Sequence, residues 1–343
     1  MSDIKIDILL ATYNGSKYIV ELIESILSQS YANYKLIICD DASTDGTYDL
    51  LTRYAIQDDR IELHKNNVNL GVVRNFEKLM KLSDAKYFML CDQDDVWHKD
   101  KVLKSLEQIV ATNSLLVYTD LKIITSREES ISYWKREGIK PLSGSPFKTL
   151  LVQNVITGCT IIADKRIINF AIPIPSKFCL HDQWLGIVAS VYGSISYLEE
   201  TLIDYRQHEG NVIGSKGYYK VINTEAGKQT SYSEYLLDRK TFIDNQYNFY
   251  KYCIDRFSEN PPKNKSIIKQ LQQLLELFET FRTKSNIFVR LKNGLKLKRL
   301  FPSQGATRNV YWVCYFVFPI FVFVPIKISK FIIYSLKKLN IYI

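Results

Sequence analysis

Three carboxylates fall within four positions of the stretch CDQDDVW, where Asp92, Asp94 and Asp95 follow the apolar run KYFML. Like charges this close repel, and each is costly to take out of water. A divalent cation offsets that cost, and Mg²⁺ or Mn²⁺ takes such oxygen ligands. Alone, the stretch reads equally well as a solvated acidic loop leading into the next helix. Gln93, between the acids, reads as a spacer that points away.

The elements around these residues decide between the two readings. IDILLAT (6–12), YKLIICDD (34–41), RIELHKN (60–66), KYFMLCD (86–92) and LLVYTDL (115–121) are short apolar runs expected of buried strands. Between them, 16–30, 43–57, 72–83 and 98–112 carry helical spacing, with Ser16 and Ser43 placed as N-caps of the first two. Alternation of this kind predicts an α/β fold, a mostly parallel Rossmann-like sheet with helices on both faces. Ligands of such sheets bind beyond the carboxyl ends of the strands. There the first strand ends in Thr12, Tyr13 and Asn14, the second in Asp40 and Asp41, and the fourth in Asp92, Asp94 and Asp95. Acids and amides at three strand ends on one edge favour a site over decoration. Asp40 serves equally well as a brace for its own turn.

Residues 122–150, with Arg127, Glu128, Glu129, Trp134 and Lys135, read as a long surface excursion. Beyond it, 155–170 predicts a strand and a short helix, 180–193 a helix with a polar start, and 195–214 a strand and a polar loop. After about residue 220 the pattern turns helical, over 232–257 and 265–284.

The formal charge of +9 over 343 residues is unevenly placed. Residues 1–220 hold 25 Lys and Arg against 28 Asp and Glu, whereas residues 221–343 hold 20 against 8. The basic excess therefore belongs to the last third. None of the six cysteines forms a CxxC pair, which argues against a zinc site or a disulfide framework and for a reducing compartment. The first residues are too polar for a signal peptide and read as the start of a strand.

Six ordered motifs, ATYNG (11–15), CDDASTDGT (39–47), CDQDDVW (91–97), NVITG (154–158), HDQW (181–184) and YRQHEGNVIG (205–214), together resemble the inverting family-2 glycosyltransferases of the GT-A fold. Within that family they are most similar to bacterial rhamnosyltransferases of polysaccharide assembly. The resemblance covers about residues 4–215. It implies a nucleotide-sugar donor, dTDP- or UDP-linked, a saccharide or lipid-linked acceptor, and Mg²⁺ or Mn²⁺ as cofactor. Carried over residue by residue, Asp94 is the direct metal ligand, Asp92 meets ribose or metal, and Asp95 supports both. Asp41 reads the pyrimidine N–H, Thr12 and Tyr13 line the base, and Asn14 holds the loop. Inversion needs a general base beside the acceptor hydroxyl. Asp182 matches it, at a helix start that favours a carboxylate ion. His181 stands where the family often has Glu. Arg206 matches a residue near the diphosphate, and His208 either completes the metal shell or binds a phosphate. Gly158 and Trp184, with His181, fall on the acceptor side. The QxxRW motif of processive members is absent, so addition of one or a few sugars is expected. UDP-hexose or UDP-N-acetylhexosamine donors, and a non-catalytic membrane-bound scaffold, are the alternatives.

The expected organisation is a catalytic domain over 1–220, a helical extension over 221–300 and a membrane-associating tail over 301–343. The tail holds a charge-free run from Val310 to Ile326, broken by Pro319 and Pro325 and flanked by lysines. A spanning helix wants about 20 apolar residues, so an interfacial anchor on the anionic inner face of the cell membrane is the expectation. Nucleic acid explains the charge but not the apolar run. A tail packed on the protein or in a homodimer is the other reading.

Overall fold

Continuous apolar runs make the central strands, because both faces of the sheet are covered. The computed structural model describes residues 3–124, 129–130, 140–208 and 232–283. The chain divides into two units, Met1–Glu137 with Pro141–His208, and Gly138–Lys140 with Glu209–Ile343. Each is described by itself.

In the first unit the elements run β1 (Ile6–Thr12), α1 (Ile19–Leu27), β2 (Tyr34–Asp40), α2 (Thr47–Gln57), β3 (Ile61–Lys65), α3 (Val72–Leu82), β4 (Tyr87–Cys91), β5 (Val96–Trp97), α4 (Lys101–Thr112), β6 (Leu116–Ile124) and β7 (Glu129–Ser130). Then come α5 (Phe147–Val152), a 3-10 turn (Gly158–Thr160), β8 (Ile161–Asp164), α6 (Ile168–Ala171), α7 (His181–Tyr192) and β9 (Ile195–Arg206). One sheet joins the strands in the order β3-β2-β1-β4-β8-β6-β9-β5, with β7 on β6.

Alternation along β1 sends Ile6, Ile8 and Leu10 into one core layer, with Ile19, Leu22, Ile23 and Ile26 of α1, Leu51 of α2, and Val102 and Leu106 of α4. Leu9, Ile37, Phe88 and Leu90 alternate to the other face and are also buried. There α3 packs on β1 and β2 and meets α7. Burial of this kind contributes roughly 1.5–3 kcal/mol per large aliphatic side chain.

The expected parallel sheet holds for β1, β2, β3 and β4 and for β6 with β9. It fails at β8, which runs antiparallel to both β4 and β6. The chain passes the amino end of β9 at Gly144, which bridges to Ile195, and after α5 it is back beside the end of β4. The chain enters β8 from the carboxyl edge, so the 3-10 turn sits beside the end of β4. β5 likewise pairs antiparallel with β9, Val96 opposite Asp204 and Trp97 opposite Ile203. β6, β9 and the first four strands therefore end on one edge, and β8 begins there.

Two helix starts differ from expectation. α1 and α2 begin later than the serines suggest, and neither Ser16 nor Ser43 caps them. Their polar groups are committed to joining the two loops, since Asn14 N–H donates to Ser43 Oγ and Ser16 N–H to Asp45 Oδ2. The excursion is also shorter than expected. β6 continues to Ile124 because β9 pairs with it that far, Ile124 opposite Arg206.

The second unit contains α8 (Tyr232–Glu259) and α9 (Ser266–Arg282). Arg282 near the end of α9 binds Asp244 and covers the Tyr247 ring at the middle of α8, while Phe278 one turn earlier meets Tyr250 further along α8, so the two helices run antiparallel. Tyr250 and Phe278 meet edge to face at 5.1 Å in their shared core. Among the described residues no helix is long and apolar enough to cross a membrane. The expected tail over 301–343, the stretch from 284, the boundary at 220, the EGNVIG end of the last motif, and Arg127, Glu128, Trp134 and Lys135 lie outside the described residues.

Candidate active site

The acidic loop is pinned at both ends, by β4 before Asp92 and by β5 after Asp95. Arg206, the last residue of β9, holds it from the side. Its Nε donates to the Asp94 carbonyl at 3.1 Å, its backbone N–H to Asp95 Oδ1 at 3.3 Å, and its Nη2 to Glu21 at 2.6 Å. The guanidinium also lies over the Tyr18 ring. Arg206, expected near a diphosphate, is thus engaged in shaping the acidic loop. Two residues on, His208 Nε2 sits 2.8 Å from Asp94 Oδ2 and its ring packs against Tyr18.

Burial, with the charges of Asp94 and Asp182 added, pushes the half-buried Asp92 up to about 7. Asp95, only 1 % exposed, is held well above the usual carboxylate range by burial and then by Asp94 and Asp92. Asp92, Asp95 and the buried Cys159 of the 3-10 turn offer ligand atoms within 4.8 Å of one another. Burial holds the Cys159 thiol protonated. Beneath them Lys101 is fully enclosed, its ammonium over the Trp97 ring at 4.4 Å and without a hydrogen-bond partner. Burial lowers its pKa to about 8, against the opposing pull of Cys159, Cys91 and Asp95. Cys159 and Lys101 escaped sequence reasoning. A lysine in the first turn of an amphipathic helix reads as solvated, and only the packing of α4 encloses it.

The loops after β1 and β2 form the neighbouring part of the edge. Thr12 is buried and turns its hydroxyl to Gln93, whereas Tyr13 is 45 % exposed. Asn14 holds the adjacent loop, its Oδ1 accepting from Thr44 N–H, with a left-handed φ of 49°. Asp40 is buried and accepts from Ser43 N–H. Asp41 organises a further loop: Oδ1 accepts from Asn66 Nδ2 and Leu70 N–H, and Oδ2 from Gly71 N–H. Gln93 is not the outward spacer that its position suggests. Its Oε1 accepts from Thr12 Oγ1 at 2.9 Å and Tyr13 N–H at 2.8 Å, and its Nε2 donates to the Tyr13 carbonyl at 3.0 Å.

Asp182 enters the same edge from the first turn of α7. Burial raises its pKa to about 6, against hydrogen bonds from Gln183, Asn154 and Gly158. The helix terminus favours the ion, and burial outweighs it. Asp182 is close enough to Asp92 for the two charges to oppose one another. His181 is 5 % exposed, stacks near Phe76 at 4.2 Å and has no hydrogen-bond partner on either ring nitrogen. Burial lowers its pKa to about 3, so it is neutral. A Cβ on Gly158 would lie 2.9 Å from His181 Nε2, so only glycine leaves the ring its place. Trp184, expected on the acceptor side, is fully enclosed and donates its indole N–H to the Ala171 carbonyl. Its hydrogen bond to the end of α6 anchors α7 in the core.

The donor set fits a hard divalent cation: carboxylates that repel one another, with an imidazole beside Asp94. Asp94, Asp92 and His208 are the residues that would hold it; Asp95 accepts from the Arg206 amide through Oδ1, and its buried Oδ2, without a hydrogen-bond partner, is free to join them.

Residues 7–168 match the family Glycosyl transferase family 2. A putative teichuronic acid biosynthesis glycosyltransferase, TuaG of Bacillus subtilis, is 25 % identical over 250 residues, covering 72 % of this chain and 94 % of its own. The dTDP-rhamnosyl transferase RfbG of Shigella flexneri is 28 % identical, covering 69 % and 87 %. The UDP-Glc:alpha-D-GlcNAc-diphosphoundecaprenol beta-1,3-glucosyltransferase WfaP of Escherichia coli is 29 % identical, covering 62 % and 80 %. Among solved structures, S. aureus TarS 1–349 in complex with UDP-GlcNAc superimposes with a TM-score of 0.53 at 15 % identity, covering 87 % of this chain and 82 % of that one. The mostly parallel sheet with helices on both faces is that of a GT-A fold.

Proposed function

We propose that this chain, which matches glycosyltransferase family 2 over residues 7–168, is a metal-dependent, inverting, non-processive glycosyltransferase of cell-surface polysaccharide synthesis. Its donor is a nucleotide sugar and its acceptor a saccharide or lipid-linked saccharide, met at the inner face of the membrane. dTDP-L-rhamnose is the donor of choice, on the resemblance to rhamnosyltransferases and the likeness to RfbG. Likeness to WfaP supports UDP-glucose as the second candidate. One observation carries the reading. Asp92 and Asp182, far apart in sequence, share one strand edge, each within the field of the other.

In this reading Tyr13 and Asp41 receive the base and Asp92 the ribose. Asp94, Asp92 and His208 would hold Mg²⁺ or Mn²⁺, which would supply stabilisation for the charge on the leaving diphosphate. Asp182 accepts the proton of the acceptor hydroxyl as that oxygen attacks the anomeric carbon from the face opposite the leaving group. With a pKa near 6, Asp182 is largely ionised at neutral pH and still basic enough for the task.

Calorimetric titration of dTDP and UDP into the full chain, with Mn²⁺ and with EDTA, tests the reading. Expected is binding that depends on Mn²⁺ and is lost in Asp94→Ala, with the preferred base naming the donor class. Absence of binding of either nucleotide with Mn²⁺ overturns it.

A further inference from the structure

Gln93 lies between two candidate cation-site residues, Asp92 and Asp94, yet its side chain serves a different loop. Its carboxamide pairs with both polar groups of the Tyr13 backbone, accepting from the N–H and donating to the C=O. The same Oε1 takes the buried Thr12 hydroxyl. Gly15 is shaped to this arrangement. A Cβ there would lie 2.4 Å from Gln93 Oε1 and 2.7 Å from its Cδ. The Gly15 N–H donates to Thr47 Oγ1, so this backbone has little freedom to retreat. The acidic loop, by contrast, does not depend on Gln93. Arg206 holds the Asp94 carbonyl and Asp95 Oδ1, and β5 fixes the chain beyond.

We infer that Gln93 is a positioning residue for nucleotide recognition. It fixes the Tyr13 peptide, and with it the exposed ring that faces the base, by tying the base loop to the cation loop. Gly15 is the second half of the device. The inference rests on the nucleotide-sugar reading of the site and adds residues which that reading does not use. Loss of Gln93 releases the base side and leaves the cation side in place.

The experiment measures binding of UDP and dTDP by calorimetry in saturating Mn²⁺, and Mn²⁺ affinity alone by electron paramagnetic resonance. The variants are Gln93→Ala, Gln93→Met, Gly15→Ala and the double variant Gln93→Ala with Gly15→Ala. Three hydrogen bonds of modest net value weaken the preferred nucleotide about tenfold in each single variant. Met keeps the bulk of Gln and is expected to behave as Ala. Mn²⁺ affinity stays within about twofold of wild type. The double variant is no weaker than Gln93→Ala, because the methyl added at position 15 has nothing left to displace. Nucleotide affinity unchanged in Gln93→Ala overturns the inference, as does its restoration in Gln93→Met, a parallel loss of Mn²⁺, or additivity in the double variant. Wild type that binds Mn²⁺ but neither nucleotide overturns the functional reading itself, and the inference falls with it.

Discussion

Asp182 sits where two effects compete. The N-terminus of α7 favours its ionised form by up to about 1 kcal/mol. Burial costs more, and the pKa rises to about 6. As the proposed base it must be ionised, so kcat/KM is expected to fall about tenfold per pH unit below about pH 6, which initial rates between pH 5 and 8 check. The same shift bears on stability. Its pKa in the folded chain lies above the ordinary value, so the fold holds the proton more tightly than the unfolded chain does. The stabilisation is complete below about pH 4 and is lost as pH rises through about 6. Asp182→Asn is therefore expected to abolish transfer and to raise Tm at pH 7.5, by an amount worth roughly 2 kcal/mol that shrinks toward pH 4. Thermal melts at the two pH values decide it. A variant no more stable than wild type at pH 7.5 contradicts the assignment of strain to this carboxylate. That a carboxylate opens this helix was legible from HDQW. That its charge is costly was not, because burial is a property of the whole fold.

Elements position this site through the loops that link them, and the clearest case is the segment between β3 and α3. Lys78 of α3 donates to Asn66, Asn66 donates to Asp41 and to Asn75, and Asn75 donates to the carbonyl of Cys39 in β2. Asp41 then accepts the amides of Leu70 and Gly71. Removing the carboxylate leaves the Leu70 N–H without its acceptor, a loss of roughly 1–3 kcal/mol if water cannot replace it, and the Gly71 N–H with Asn69 Oδ1 alone. Asp41→Ala is expected to speed amide exchange at Leu70 and Gly71 by at least about tenfold, while the amides of β1 keep their protection. Protection at Leu70 unchanged in the variant excludes Asp41 as organiser of that loop. The direction of β8 belongs to this scale as well. Its apolar IIAD reads as a strand, but nothing in four residues states which way it runs. Its direction follows from the edge at which the chain re-enters the sheet, and that direction places Cys159 under Asp92 and Asp95.

For the chain as a whole, charge divides along the sequence: a slightly acidic first part and a strongly basic last third. The basic, aromatic tail lies outside the described residues, and its membrane role rests on composition. The expected outcome is that the full chain sediments with vesicles containing anionic lipid and is released at high salt or on deletion of residues 289–343. A full chain that stays in the supernatant with such vesicles at low salt rules out the anchor.

The sequence by itself determined the alternation of strands and helices, the edge where polar residues gather, and six motifs, four of them inside the residues that match one family. Each of these is local. Hydrophobic periodicity marks an element, and a short motif carries its residue types wherever the chain goes. Only the tertiary structure decided that Gln93 turns inward to hold Tyr13, that Lys101 is enclosed beneath the acids, that Trp184 belongs to the core, and that Ser16 and Ser43 hold no helix ends. In each case the partner lies far along the chain or in another layer. A side chain's role is set by what it meets there, and those meetings are fixed by strand pairing and packing rather than by neighbours in sequence.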